Sequence, residues 1–227
     1  MNDPSTGPVR LAYSAELEQL RLQVELMAIR VDENLERMRE ALANGDTAIV
    51  AVALAADDDI DAMNVSLTER CYDLLRREAP MASDLRFIVS VLRILGELER
   101  IGDLALRVVK LSNDHHLLAG SATSFEILRT MTDQAIERYR QSLRAWASMD
   151  LVLANAIVTA VHDMDAFFER LLVELFHLQG PDATRIAVSS FYAGRALERI
   201  NDHAAIIAAR LRYLLTGDPG HLNAEVR

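Results

Sequence analysis

Apolar residues recur at spacings of three and four along most of the chain, and the strict alternation that marks a half-buried strand is absent, so the pattern predicts helix. A first helical pattern runs over about 13–42 and closes at Asn44-Gly45; a second runs over about 46–77 and closes at Glu78-Ala79-Pro80. The third covers about 83–111. The stretch SNDHHLLAGSATS, residues 112–124, is polar, contains Gly120 and reads as a linker. Three further helices are predicted over about 125–148, 151–178 and 182–215. Gly180-Pro181 separates the last two, Asp182 offers an N-cap, and Gly217, Asp218 and Pro219 stop the sixth.

Three helices, a linker and three helices amount to an internal repeat. The expected fold is all-α: two tandem three-helix bundles, the first over 11–112 and the second over 125–216, joined by a linker at 113–124. Residues 1–10 are expected to be a disordered head and 217–227 a poorly ordered tail. Helices of about 30 residues, or about 45 Å, suit long antiparallel bundles.

Composition narrows the classes. At 227 residues and 51% hydrophobic, the chain can bury a substantial core. A formal net charge of −10 argues against duplex nucleic acid as the main partner, because such binding draws its affinity from neutralised phosphates. The longest apolar run noted, AIVAVALAA at 48–56, ends at Asp57-Asp58-Asp59, short of the roughly 20 residues that cross a bilayer. No signal peptide is visible, so the expected location is the cytoplasm. The single cysteine, Cys71, reads as a small buried hydrophobe. Lys110 is the only lysine, which leaves the positive charge to arginine.

The informative motif is Leu-Glu-Arg-Ile-x-Asp, written at 98–103 and again at 197–202. Residues four apart share a helix face, so Glu99 pairs with Asp103 and Glu198 with Asp202. A bare like-charge pair costs roughly 0.2–0.5 kcal/mol. At 100° per residue both pairs fall beside the apolar stripe of their helix, while Arg93, Arg100 and Arg107 fall on the solvated side. Carboxylates on an apolar flank require a counter-charge, and all-oxygen clusters suit divalent cations or iron. The preceding helices offer further oxygen: Asp57 and Asp61 in the first half, and Asp165 in the second, where Val161 stands in the place of Asp57.

With PMASDLR at 80–86, GELERIGD at 96–103 and RALERIND at 195–202, the chain resembles the PhoU family, accessory regulators of the bacterial phosphate-specific ABC transporter. The resemblance spans nearly the whole chain. It implies bound divalent or iron-type metal ions, held by Asp57, Asp61, Glu99 and Asp103 in the first bundle and by Asp165, Glu198 and Asp202 in the second. Val161 departs from the pattern and weakens the second site unless His162 or Asp163 turns inward. It also implies repression of the phosphate-starvation response and moderation of phosphate uptake. The implied partners are the transporter's ATPase subunit and a sensor histidine kinase. The protein would act by contact rather than turnover, reach the membrane only through partners and form a homodimer.

Other readings stand beside this one. The acidic pairs could belong to an ion network with Arg70 or Arg86, making the chain a metal-independent helical adaptor. Glu174-x-x-His177 matches half of a ferritin-like di-metal oxidase signature, but the sequence holds no second copy. His115-His116 read as an exposed linker pair, and His203 as pointing toward the arginine side. No Ser-His-Asp set, Gly-rich phosphate loop or Cys cluster can be assembled, so no enzymatic activity is expected.

Overall fold

A computed structural model describes residues 6–77, 80, 82–160 and 163–226, and among them there is no strand. The first half comprises α1 (Thr6–Asn44), α2 (Ala48–Arg77) and α3 (Ala82–Lys110). A 3-10 turn (Leu111–Asp114) and the short α4 (His115–Leu118) lead to α5 (Ala122–Ser148), α6 (Leu151–Thr159), α7 (Met164–Phe176) and α8 (Ala183–Thr216). A second 3-10 turn, Pro219–Val226, follows.

Local chemistry fixes the ends of the helices. Gly45 takes φ 68° after α1, and a Cβ there would stand 2.6 Å from His115 Cγ, so only glycine admits the histidine at this turn. Asp46 Oδ1 accepts from Ala48 N at 2.8 Å as α2 begins. Ser121 caps α5, and Asp150 caps α6 by accepting from Val152 N and Leu153 N at 2.8 and 3.0 Å.

The helices of each half pack on one another, α1–α3 in the first and α5–α8 in the second. The halves then join broadly, α3 lying along α8 and α1 along α5, and one apolar core runs through both. Polar bonds stitch the seam. The fully buried Tyr139 hydroxyl donates to Ala28 O at 2.7 Å, Arg140 donates to Asp32 at 2.8 and 3.0 Å and pairs with Glu36, and Arg21 reaches Ala147 O at 3.3 Å.

Several details depart from the sequence pattern. The helix expected over 151–178 is two helices, because Ala160 takes ψ 132° after α6. Ile157, Val158 and Thr159 are β-branched, which lowers helix propensity at that point. Val161 and His162 lie outside the described residues. The stretch 112–124 is largely helical, with Leu117 and Leu118 buried, so its polar average conceals an apolar anchor. Of the expected disordered head, residues 6–10 continue α1, and residues 1–5 lie outside the described ones. Residues 219–226 of the tail form a 3-10 turn packed on α8.

The apolar stretch nearest in composition to a membrane span is Leu151–Phe176, of mean hydropathy 1.4, rather than 48–56. Its helices of 9 and 13 residues are each shorter than the roughly 20 a bilayer requires.

Candidate metal centre and its duplicate

In the first half α2 presents Asp57 to α3 at Gly102. A Cβ at Gly102 would lie 3.3 Å from Asp57 Oδ1 and 3.6 Å from Ile60 Cδ1, so the missing side chain lets the carboxylate approach the α3 backbone closely. Asp57 is 8% exposed; Asp61 is exposed, and Glu99 and Asp103 are half-buried. Burial, reinforced by Asp103 and then Asp61, pushes the Asp57 carboxyl up to about 6. Asp61 is raised by burial and by Asp103, and Glu99 by burial, Asp103 and Asp61. The four carboxylates therefore share one repulsive field across α2 and α3.

Positive charge nearby is weak. Lys110 opposes the shift at Asp57, and Arg100 and His203 oppose it at Glu99, in each case less strongly than the neighbouring carboxylates Asp103 and Asp61 drive it. Arg70 is engaged elsewhere, donating to Gln23 Oε1 at 2.6 Å and Gln19 Oε1 at 2.7 Å. Arg86 lies against Gly217. The ion network with Arg70 or Arg86 is thus not formed. Among the described residues no three His, Cys, Asp or Glu side chains converge tightly enough to ligate one ion as they stand. The donor set nevertheless fits a hard cation: it is all carboxylate oxygen, it bridges two helices and it lacks an internal counter-charge.

The second half solves the same problem differently. Glu198 pairs with Arg195, and Arg199 donates to Asp202 Oδ2 at 3.4 Å, so Arg199 turns toward the acidic residue rather than away from it. Asp165 and Asp163 are exposed, and Asp163 does not turn inward. Arg138 of α5, 7% exposed, enters between α6 and α8. Its guanidinium donates to Ile157 O at 3.2 Å and to Asn201 Oδ1 at 3.4 Å. Burial lowers Arg138 to about 10, against the opposing attraction of Asp202 and then Asp165.

His203 corrects the expectation that it points to the arginine side. It is buried, with Nδ1 2.6 Å from Glu97 Oε2 across the seam. Neither Arg138 nor Glu97 was legible as a site residue. The paired differences between the repeats, Gly102 against Asn201 and Asp57 against Val161, carried the signal for Arg138. His177 is exposed and bonded to its own helix at Val173 O, 2.7 Å, so the ferritin-like half-motif does not face the core. His115, expected in an exposed linker, packs edge-on to Phe125 with centroids 5.5 Å apart.

Comparison with known proteins agrees with this architecture. The family model described as the PhoU domain matches residues 24–112 and 128–211. The phosphate-specific transport system accessory protein PhoU homolog of Pseudomonas aeruginosa is 30% identical over 217 residues, covering 95% of this chain and 90% of that protein. The Escherichia coli accessory protein PhoU is 28% identical over 212 residues, with 90% and 86% covered. The crystal structure of PhoU from P. aeruginosa superposes with a TM-score of 0.84 at 30% identity, covering 91% of this chain and 100% of that one. The Streptococcus pneumoniae PhoU structure, at 24% identity and a TM-score of 0.79, shares the fold. The chain belongs to the PhoU family.

Proposed function

We propose that this protein is a phosphate-responsive regulator that restrains the phosphate-starvation response and moderates phosphate uptake. It does so by contact with the ATPase subunit of a phosphate ABC transporter and with a sensor histidine kinase, on the cytoplasmic side of the membrane and as a homodimer. The reading is carried by the near full-length similarity to proteins named as accessory to phosphate-specific transport. That those relatives are named as accessory proteins supports action by docking rather than by turnover.

Within this reading Asp57, Asp61, Glu99 and Asp103 hold a divalent or iron-type ion in the first bundle. The ion supplies the positive charge that the cluster lacks. Asp57 and Asp61 anchor α2, Glu99 and Asp103 anchor α3, and Gly102 keeps the approach open. Because α3 also lies along α8, fixing the α2–α3 spacing stiffens the seam between the halves. Arg100 and Arg107, exposed on α3, offer guanidinium forks to an acidic patch on a partner.

The failure of three ligands to converge as they stand favours a second reading, a metal-independent adaptor with the same contacts. A pull-down from phosphate-replete cells, with metal analysis of the same sample, tests both. Recovery of the transporter ATPase or the kinase together with bound metal is expected. Recovery of neither partner contradicts the regulatory reading, and partner recovery without metal favours the adaptor.

A further inference from the structure

The duplicated acidic motif is neutralised unequally. In the first half Gly102 leaves space that Asp57 fills, and Asp57 and Glu97 are the buried carboxylates among the described residues. Glu97 has His203, whereas the dominant charged neighbours of Asp57 are other carboxylates. In the second half Asn201 occupies the position corresponding to Gly102, and its side chain accepts from Arg138. The same guanidinium bonds the α6 carbonyl of Ile157. It thus sits between two helices at the level where, in the first half, α2 meets α3.

We propose that Arg138 is a built-in cation taking the place of a metal ion in the second bundle, so that one copy of the motif is a metal site and the other a metal-independent joint. The proposal rests on the metal role given above to the first cluster. A guanidinium stays protonated at any physiological pH and repels a dication brought beside it. Its burial requires anionic neighbours, which Asp202 and Asp165 supply. Asp202 also pairs with Arg199, and the remaining carboxylate, Glu198, pairs with Arg195. Glu198 and Asp202 are therefore ion-paired to arginine, and the exposed Asp165 lies within the field of Arg138, so the three do not fit a metal.

The test uses the full chain, dialysed against Mn2+ or Zn2+, with metal content and melting temperature measured for wild type, Asp103→Asn, Asp202→Asn and Arg138→Met. Asp202→Asn is expected to keep the wild-type metal content. Arg138→Met is expected to melt several degrees lower when metal-free and to gain a larger cation-induced rise than wild type. Loss of bound metal in Asp202→Asn, or no added cation response in Arg138→Met, overturns the proposal. If Arg138→Met does not fold, the Asp202→Asn metal content decides alone. Unchanged metal content in Asp103→Asn would instead defeat the first-bundle reading, and the added cation response of Arg138→Met would still decide the role of Arg138.

Discussion

Glu97 and His203 form a buried pair, Oε2 to Nδ1 at 2.6 Å, that ties α3 of the first half to α8 of the second. The side chains are only 9% and 6% exposed, so removing either leaves a polar group stranded in the core. Glu97→Leu or His203→Leu alone is expected to cost roughly 1–3 kcal/mol. The double substitution should recover part of that loss, since replacing both partners by apolar groups removes the stranded atom. Denaturant unfolding of the two single variants and the double variant reads the coupling; strictly additive losses would contradict it.

The stability of the metal-free protein should fall as pH rises through the weakly acidic range. The Asp57 carboxyl is raised from 3.8 to about 6 by burial, then Asp103 and Asp61, so the folded state binds more protons than the unfolded chain between those values. Its contribution is favourable below that window and is progressively lost toward pH 6. Asp61 and Glu99 shift in the same direction. Asp57→Asn should flatten the profile and stabilise the metal-free protein at pH 7. Melting curves of both proteins across this window check the sign, and parallel profiles would count against it.

Gly102→Ala should leave the fold intact while weakening the response to cations. The added methyl gains up to about 1 kcal/mol of helix propensity. It also crowds Asp57 Oδ1 at 3.3 Å and moves that carboxylate off the α3 backbone. A reduced cation-induced rise in melting temperature is the expected reading; an unchanged rise would mean that the close approach has no bearing on metal.

The seam also depends on Tyr139, whose hydroxyl donates to Ala28 O at 2.7 Å with the residue fully buried. Tyr139→Phe removes the bond while keeping the ring, at an expected cost of about 1 kcal/mol. For a chain of this size that is about 2–4 °C in melting temperature. An unaltered melting temperature would place the bond outside the stabilising contacts.

The all-helical class, the repeat and the acidic face were legible in the sequence because periodicity and local spacing determine them, whereas the short α4 and the division of 151–178 into α6 and α7 were not. Glu99 and Asp103 share a face by helical geometry alone, and Asp57 with Asp61 likewise. The interior partners were not legible. His203 falls on a face that looks solvated when α8 is considered alone, and becomes core only because α3 lies along it. Arg138 is an ordinary-looking arginine on α5 until α6 and α8 enclose it. The break at Ala160 leaves no mark on the hydrophobic pattern, which continues on both sides of it. Inter-helix contacts, which no single-helix pattern records, account for His203 and Arg138.

The central claim is that the carboxylates of α2 and α3 in the first bundle form a cation site. The most direct measurement is the melting temperature of metal-free full-length protein, with and without a saturating divalent cation, for wild type and for Asp57→Asn/Asp103→Asn. A rise in wild type that is abolished in the double variant is the predicted result. An equal rise in both proteins, or none in wild type, would contradict it.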